Sequence, residues 1–104
     1  MDLLNDAEIS ERLEGLDGWQ RSGDAITKTF KREDFVGSVR FVDAIVGPAE
    51  EMGHHPDLSI SWDEVAVSIT NHAAGGLTAN DFELAGRIAT LAASADERRR
   101  SSSK

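Results

Sequence analysis

Residues 58–69 read LSISWDEVAVSI and indicate a β-hairpin. Apolar residues alternate with polar ones in both halves of it. Alternation with a period of two is typical of strands that bury one face. Asp63-Glu64 lies between the halves, so the stretch predicts a tight turn that joins two antiparallel strands.

A similar hairpin is predicted nearer the start of the chain. Residues 19–21 and 25–30 favour extended structure, and the triplet Ser22-Gly23-Asp24 between them is rich in turn formers. Neither hairpin can bury its apolar face alone, so helical segments must cover the sheet.

Three helical patterns flank the hairpins. The first spans roughly residues 6–15, with Asn5 or Asp6 as its cap. The second runs from 34 to a terminating Gly53, and Pro48 inside it predicts a bend. The third starts at Thr78 and fades near Ala95. The predicted buried stripe of the second helix comprises Phe35, Val39, Val42, Ile45, Val46, Ala49 and Met52.

The resulting order, α-β-β-α-β-β-α, predicts an α+β fold with a four-stranded antiparallel sheet and helices packed on one face. Residues 1–95 form a single predicted domain, because 104 residues are too few for two independent cores. Residues 96–104 end in RRRSSSK and are predicted to be a disordered charged tail.

Composition excludes several classes of site and partner. The chain has no cysteine, which rules out disulfides and thiolate zinc sites. A formal net charge of −8 disfavours contact with nucleic acid. No stretch is apolar for long enough to span a membrane, and the start lacks the pattern of a signal peptide, so we expect a cytoplasmic protein.

All three histidines, His54, His55 and His72, lie within nineteen positions. Histidine can give or take a proton near neutral pH, so the cluster indicates acid/base chemistry. The first two precede a strand and the third follows its predicted antiparallel partner. Antiparallel pairing puts these points at the same end of the sheet, where the imidazoles can converge.

Simpler interpretations of the histidines stay open. A histidine at a strand end is commonly a solvated or hydrogen-bonded residue. A three-histidine metal site is a second alternative, because Glu50, Glu51 and Asp57 lie nearby, although no HEXXH-like spacing supports it.

Neighbouring residues also have structural interpretations. Trp62 alternates with the core side of its strand, which predicts packing. Asp81 fits a capping box with Thr78. Glu50 lies late in a helix, where its charge opposes the macrodipole, so a role other than helix stabilisation is worth considering.

The run Glu50-Glu51-Met52-Gly53-His54-His55-Pro56, followed at fixed spacing by Trp62, His72 and Asp81, resembles the motif of the pterin-4a-carbinolamine dehydratase family. The motif spans thirty-two residues, from Glu50 to Asp81. The order of helices and strands is similar to that family's fold as well, so the resemblance covers roughly residues 3–95.

This resemblance implies a dehydratase that converts 4a-hydroxytetrahydropterin into quinonoid dihydropterin without a metal or a redox cofactor. His54, His55 and His72 would be the catalytic residues, with His54 and His72 as the acid/base pair. The substrate-binding residues that it implies, including exposed backbone of the third strand, are Glu50, Pro56, Ser59, Ile60, Ser61, Trp62 and Asp81.

The resemblance also implies partners. The substrate pterin would come from an aromatic amino acid hydroxylase in tetrahydrobiopterin recycling. We expect a homodimer, with a homotetramer as the alternative. Some family members act as dimerisation cofactors of a homeodomain transcription factor, so a non-catalytic interaction protein or a pterin-binding protein is the rival interpretation.

Overall fold

The structure, a computed structural model, describes the backbone of residues 3–102 and the side-chain environment of residues 3–97. Three helices and four strands follow one another in the predicted order. Their bounds are α1 Asp6–Glu14, β1 Gln20–Ser22, β2 Ala25–Lys31, α2 Phe35–Met52, β3 Asp57–Ser61, β4 Glu64–Ile69 and α3 Ala79–Ser102.

The four strands form one antiparallel sheet in the order β1-β2-β4-β3. The predicted α+β fold is therefore confirmed. Strand β4 lies inside the sheet between β2 and β3, whereas β3 is an edge strand. Because β3 is bonded on one side only, half of its backbone hydrogen-bonding groups face away from the sheet.

The core lies on one face of the sheet. Along β4, Val65, Val67 and Ile69 are buried, whereas the side chains between them are more exposed. The helices cover this face, and α2 contacts both α3 and the β3–β4 hairpin. Trp19 and Phe30 pack edge to face, with ring centroids 5.9 Å apart, and close one end of the core.

Helix α2 carries the chain to the start of β3. The Asp34 carboxylate caps its first turn by accepting from the Gly37 N–H at 2.7 Å. The helix continues through Pro48 and ends at Gly53, whose φ of +59° lies in the left-handed region. Gly53 is therefore the terminator that the sequence predicts.

The predicted buried stripe of α2 is wrong in part. Phe35, Val39 and Val46 are exposed, while Phe41, which the predicted stripe omits, is buried beside Ile45. The helix thus has two apolar stripes, and the sheet covers the one that contains Phe41. The polar Ser38 is also fully buried, and its hydroxyl donates to the Trp62 carbonyl at 2.7 Å.

The β3–β4 turn consists of Trp62 and Asp63, not of Asp63 and Glu64 as predicted, because Glu64 pairs with Ser61 in the ladder. Trp62 has a φ of +52° and a side chain that is 69% exposed, so the prediction that it packs in the core is wrong. The Lys31 ammonium pairs with the Asp63 carboxylate, and this hydrogen bond raises the pKa of Lys31.

Helix α3 runs to Ser102, so the prediction that it fades near Ala95 is wrong. Asp96 helps to hold this extension, because its carboxylate pairs with the largely buried Arg32 guanidinium at 3.3 Å. The predicted division into a domain of residues 1–95 and a disordered tail of residues 96–104 stays a prediction. Residues 103–104 of the tail lie outside the described part of the chain.

Candidate active site

The register of β3 and β4 brings the histidine-bearing segments to the same end of the sheet. Asp57, the first residue of β3, pairs with Ser68 near the end of β4. His54 and His55 precede this pair along one strand, and His72 follows it along the other. The predicted placement at a common end is therefore confirmed, although no hydrogen bond joins two of the imidazoles among the described residues.

The end of α2 fixes the position of His54. Its backbone N–H donates to the Ala49 carbonyl at 3.0 Å, across the left-handed Gly53. This 6→1 bond is the Schellman type of helix end, which sets the direction of the chain that leaves the helix. The His54 side chain, only 12% exposed, turns toward the start of α3.

There the His54 Nε2 atom lies 2.6 Å from Oδ1 of Asp81, a carboxylate with 0% exposure. The other oxygen of Asp81 accepts from the Thr78 N–H at 2.7 Å and from the Thr78 hydroxyl at 3.2 Å. The sequence predicts a capping box of Thr78 and Asp81. One half of it is confirmed, the hydrogen bond that the Asp81 carboxylate accepts from the Thr78 N–H. One buried side chain thus caps α3 and holds an imidazole.

This contact relates the tautomer of His54 to the charge of Asp81. If Asp81 is ionised, its carboxylate only accepts hydrogen bonds, and Nε2 is then the nitrogen that carries the proton. In the neutral ring, Nδ1 is then the unprotonated nitrogen. No described residue bonds to Nδ1, so it can take a proton from a bound molecule or, once protonated, return one.

His55 forms a similar pair in a different environment. Its Nε2 atom lies 2.6 Å from Oε2 of Glu50, which is one turn back on α2. Both side chains are about two-thirds exposed, at 65% and 66%. Glu50 therefore does have a partner, as its position at the helix end suggested, but water surrounds the pair.

His72 lies in the loop between β4 and α3. The backbone turns back here, since Gly75 has a φ of +81° and Asn71 bridges to Gly76. The His72 ring is exposed and makes no hydrogen bond to any described residue. It lines a cavity of about 310 Å³ together with Asp24, Ala25, Thr70, Asn71, Gly75 and Gly76.

Some of the predicted substrate-binding residues lie far from the end of the sheet that carries the histidines. Pro56 lies directly beside the histidines and is half-buried. Ser59 and Ile60 follow along the exposed edge strand. Ser61 is four residues past Asp57, which corresponds to about 13 Å of strand, and Trp62 forms the turn beyond it. Within one chain, Ser61 and Trp62 are not close to the histidines.

A larger cavity, of about 490 Å³, lies between the end of α1, β2 and α3, and no histidine lines it. Among the residues that the structure describes, no group of three or more His, Asp or Glu side chains is arranged to hold a metal ion. In the same part of the chain, no helix is long and apolar enough to cross a membrane.

Comparison with known proteins assigns the chain to a family. The family model of pterin 4 alpha carbinolamine dehydratase matches residues 2–91. The chain belongs to this dehydratase family. The predicted resemblance is confirmed, and the match covers every strand and most of α3.

Individual family members are similar over most of their length. A protein of Thermosynechococcus vestitus, provisionally named a pterin-4-alpha-carbinolamine dehydratase, is 49% identical over 89 residues, which are 86% of this chain and 94% of that protein. One from Roseiflexus castenholzii with the same provisional name is 51% identical over 86 residues, 83% of this chain and 92% of its own.

Solved structures support the fold. A protein of Brucella melitensis described as a transcriptional coactivator/pterin dehydratase superposes with a TM-score of 0.84 at 32% identity, over 88% of this chain and 99% of its own. A pterin dehydratase-like protein described as a RuBisCO assembly factor of the alpha-carboxysome reaches a TM-score of 0.58 at 23% identity, over 71% of this chain and 86% of its own. The second likeness shows the fold alone.

The sequence does not indicate the site roles of two residues at this end of the sheet. Thr78 is predicted only as a cap, but its hydroxyl also donates to the carboxylate that holds His54. Asp24, which the sequence identifies only as a turn former, lines the same cavity as His72. Asp24 and His72 are forty-eight positions apart, so no local pattern could have linked them.

Proposed function

We propose that this chain is a 4a-hydroxytetrahydropterin dehydratase that works by histidine acid/base catalysis. The observation that carries the proposal is the hydrogen bond from His54 Nε2 to the buried Asp81 carboxylate. A carboxylate that fixes the tautomer and direction of an imidazole is a recurrent arrangement in acid/base catalysis. Family membership supports a pterin as the substrate.

The reaction breaks the bond between C4a and its hydroxyl and removes the proton on N5. The hydroxyl leaves as water only if it receives a proton, and the resulting cation becomes quinonoid dihydropterin when N5 loses one. His54, through Nδ1, and His72 are the proposed pair for these two transfers. His55 and Glu50, at the exposed rim, are proposed to contact the substrate.

The remaining predicted contacts are also part of this proposal. Pro56 ends the segment that carries the histidines, and Ser59 and Ile60 lie on the open edge strand β3, where every second residue turns its backbone groups outward and can bond to a flat polar ring. Ser61 and Trp62 can contact substrate only from a second copy, since the length of β3 separates them from the histidines of their own chain.

Stopped-flow absorbance of 4a-hydroxytetrahydropterin decay, with the substrate generated by a hydroxylase in metal-free buffer, tests the activity. We expect the protein to accelerate decay over buffer. His54→Ala and His72→Ala should each lose about 100-fold or more of that acceleration, the size of a positioned acid or base.

Asp17→Asn is a suitable control, because Asp17 is exposed and lies in the α1–β1 loop, away from the histidines. It should keep the wild-type rate. Wild-type protein that leaves the decay at the buffer rate would overturn the dehydratase proposal and favour the non-catalytic role in protein contact. That role is the second candidate because the similar Brucella melitensis protein is described as a transcriptional coactivator as well as a pterin dehydratase.

The physiological setting follows from the chemistry. A 4a-hydroxytetrahydropterin arises when a hydroxylase uses a tetrahydropterin to activate oxygen, so the enzyme would act next to such a hydroxylase in tetrahydrobiopterin recycling. The cytoplasm stays the predicted location.

We propose a homodimer, with a homotetramer as the second candidate. The exposed stripe of α2, at Phe35, Val39 and Val46, and the open edge at Ile60 are the apolar surfaces that a second copy would cover. Isologous pairing buries such a stripe against itself.

Sedimentation velocity tests this proposal. Val39→Lys places a charge in the stripe and should give a monomer, whereas Ala44→Lys, on the opposite side of α2, should leave the assembly intact. A wild-type protein that sediments as a monomer would contradict the dimer.

A further inference from the structure

We propose that Asp24, in the β1–β2 turn, binds the aminopyrimidine end of the pterin and so orients it toward the histidines. The inference rests on the proposed function, because it names a residue that positions that function's substrate. It assigns to Asp24 a binding role, and the proton transfers remain with His54 and His72.

The sheet register places Asp24 beside the loop that carries His72. Ile26 pairs with Ile69, so Asp24 lies two residues before this pair on β2 and Asn71 lies two residues after it on β4. The Thr70 hydroxyl donates to the backbone carbonyl of Asp24, which ties the turn to the end of β4. Asp24 and His72 then line the same cavity of about 310 Å³.

The Asp24 carboxylate is available for a ligand. It makes no hydrogen bond or ion pair with a described residue, although cations are present elsewhere on the same hairpin. A Cβ atom added to Gly76 would lie 4.0 Å from Asp24 Oδ1 and only 3.2 Å from Leu3 Cδ2, so a glycine here lets the loop pack closely beside Leu3 and the carboxylate.

The chemistry of the pterin ring matches an unpaired carboxylate. The 2-amino group and the neighbouring N3–H point in parallel from one edge of the pyrimidine. Two parallel donors on a planar group bind the two oxygens of a carboxylate together, which adds both affinity and direction. Small-molecule sites commonly have volumes of about 300–1,000 Å³ with a few such placed polar groups.

The sheet order sets the span of the site. Asp24 precedes β2 and His54 precedes β3, and β4 with His72 lies between these strands. Two strand spacings amount to about 10 Å. A two-ring pterin anchored on Asp24 therefore extends across the end of β4, and its junction atom C4a and the adjacent N5 point toward His72 and His54.

Calorimetric titration with two stable ligands tests this inference without any turnover. Pterin carries the 2-amino group, and lumazine has an oxygen in its place. Wild-type protein should prefer pterin over lumazine by about 10- to 100-fold, the range for hydrogen bonds to a charged group. Asp24→Asn should lower this preference to about threefold or less, because the amide offers one acceptor and one donor instead of two acceptors.

The substitution keeps the backbone carbonyl that accepts from Thr70, and circular dichroism verifies the fold. Asp17→Asn removes a matched carboxylate from the neighbouring α1–β1 loop and should keep the wild-type preference. An unchanged preference in Asp24→Asn would overturn the inference, as would wild-type protein that binds neither ligand.

Turnover separates this inference from the proposed function. If wild-type protein shows the preference that depends on Asp24 but does not accelerate dehydration, the aminopyrimidine site stands and the dehydratase proposal fails. If dehydration is accelerated and Asp24→Asn keeps the wild-type preference, the dehydratase proposal stands and the role of Asp24 fails.

Discussion

His54 and His55 are neighbours in the chain, and each places Nε2 at 2.6 Å from a carboxylate oxygen, yet their surroundings differ completely. His54 reaches into the fold toward Asp81, which has 0% exposure. His55 reaches outward to Glu50, and both of those side chains are about two-thirds exposed. The same distance therefore occurs once in a desolvated setting and once in water.

The difference indicates which pair can control chemistry. Water screens the charges of an exposed pair and competes for its hydrogen bonds, so such pairs contribute little free energy. A buried carboxylate has fixed donors only, and it holds its imidazole in one orientation. We therefore propose that the inner pair orients His54 for the proton transfers that it shares with His72, and that the outer pair contacts the substrate.

Asp81→Ala should produce the largest effect, because it breaks the inner pair completely. The Thr78 N–H and hydroxyl and His54 Nε2 would lose their acceptor, and the cap of α3 would disappear. We expect a loss of about 3 kcal/mol in the free energy of unfolding, from the unpaired buried donors and the lost cap. Guanidinium unfolding followed by circular dichroism measures it.

Glu50→Ala is the matched change in the outer pair and should cost less than about 1 kcal/mol. A loss from Asp81→Ala as small as that from Glu50→Ala would contradict the assignment of the inner pair. Asp81→Asn, which keeps the volume of the side chain, should still lower the dehydration rate by about 100-fold, since the amide no longer fixes the His54 tautomer.

Several features behind this comparison could be predicted from the sequence. Alternation along β4 and the helical periods indicate the order of elements, and the spacing of the motif indicates the three histidines. The bond between His54 and Asp81 could not be predicted, because it joins residues twenty-seven positions apart. The sequence identifies His54 as a motif histidine and Asp81 as a cap and a motif residue, but it does not indicate that the two side chains bond to each other.

The errors have a common physical cause. Periodicity locates an apolar stripe but does not say what covers it, so it predicts burial for Phe35 and Val39 and omits Phe41. Trp62 fits the alternation of β3, yet Ser38 binds its carbonyl and the chain turns there with a positive φ. In both cases contacts from distant residues decide the outcome.

The outer pair, Glu50 and His55, gives the smallest predicted effect because both side chains are exposed to water. At mildly acidic pH, where an ordinary imidazole is charged, a double-mutant cycle with Glu50→Gln and His55→Gln should give a coupling energy of about 0.5 kcal/mol in the unfolding free energy at low ionic strength. Salt at about 1 M shortens the screening length to about 3 Å and should remove most of this coupling.

The corresponding cycle with Asp81→Asn and His54→Gln should keep its coupling in the same salt. A buried pair is shielded from mobile ions, so only the outer cycle should change. Equal salt dependence of the two cycles would show that the solvent treats both pairs alike.

One of the two tryptophans of this chain is exposed and the other is buried, so the protein contains two intrinsic fluorophores that differ in solvent access. Trp62 projects into solvent at the β3–β4 turn, whereas Trp19 is only 5% exposed and packs on Phe30. Iodide should quench the emission of Trp62 and leave that of Trp19. The quenchable fraction then reports on the hairpin tip, and the shielded fraction reports on the core of the same unmodified molecule.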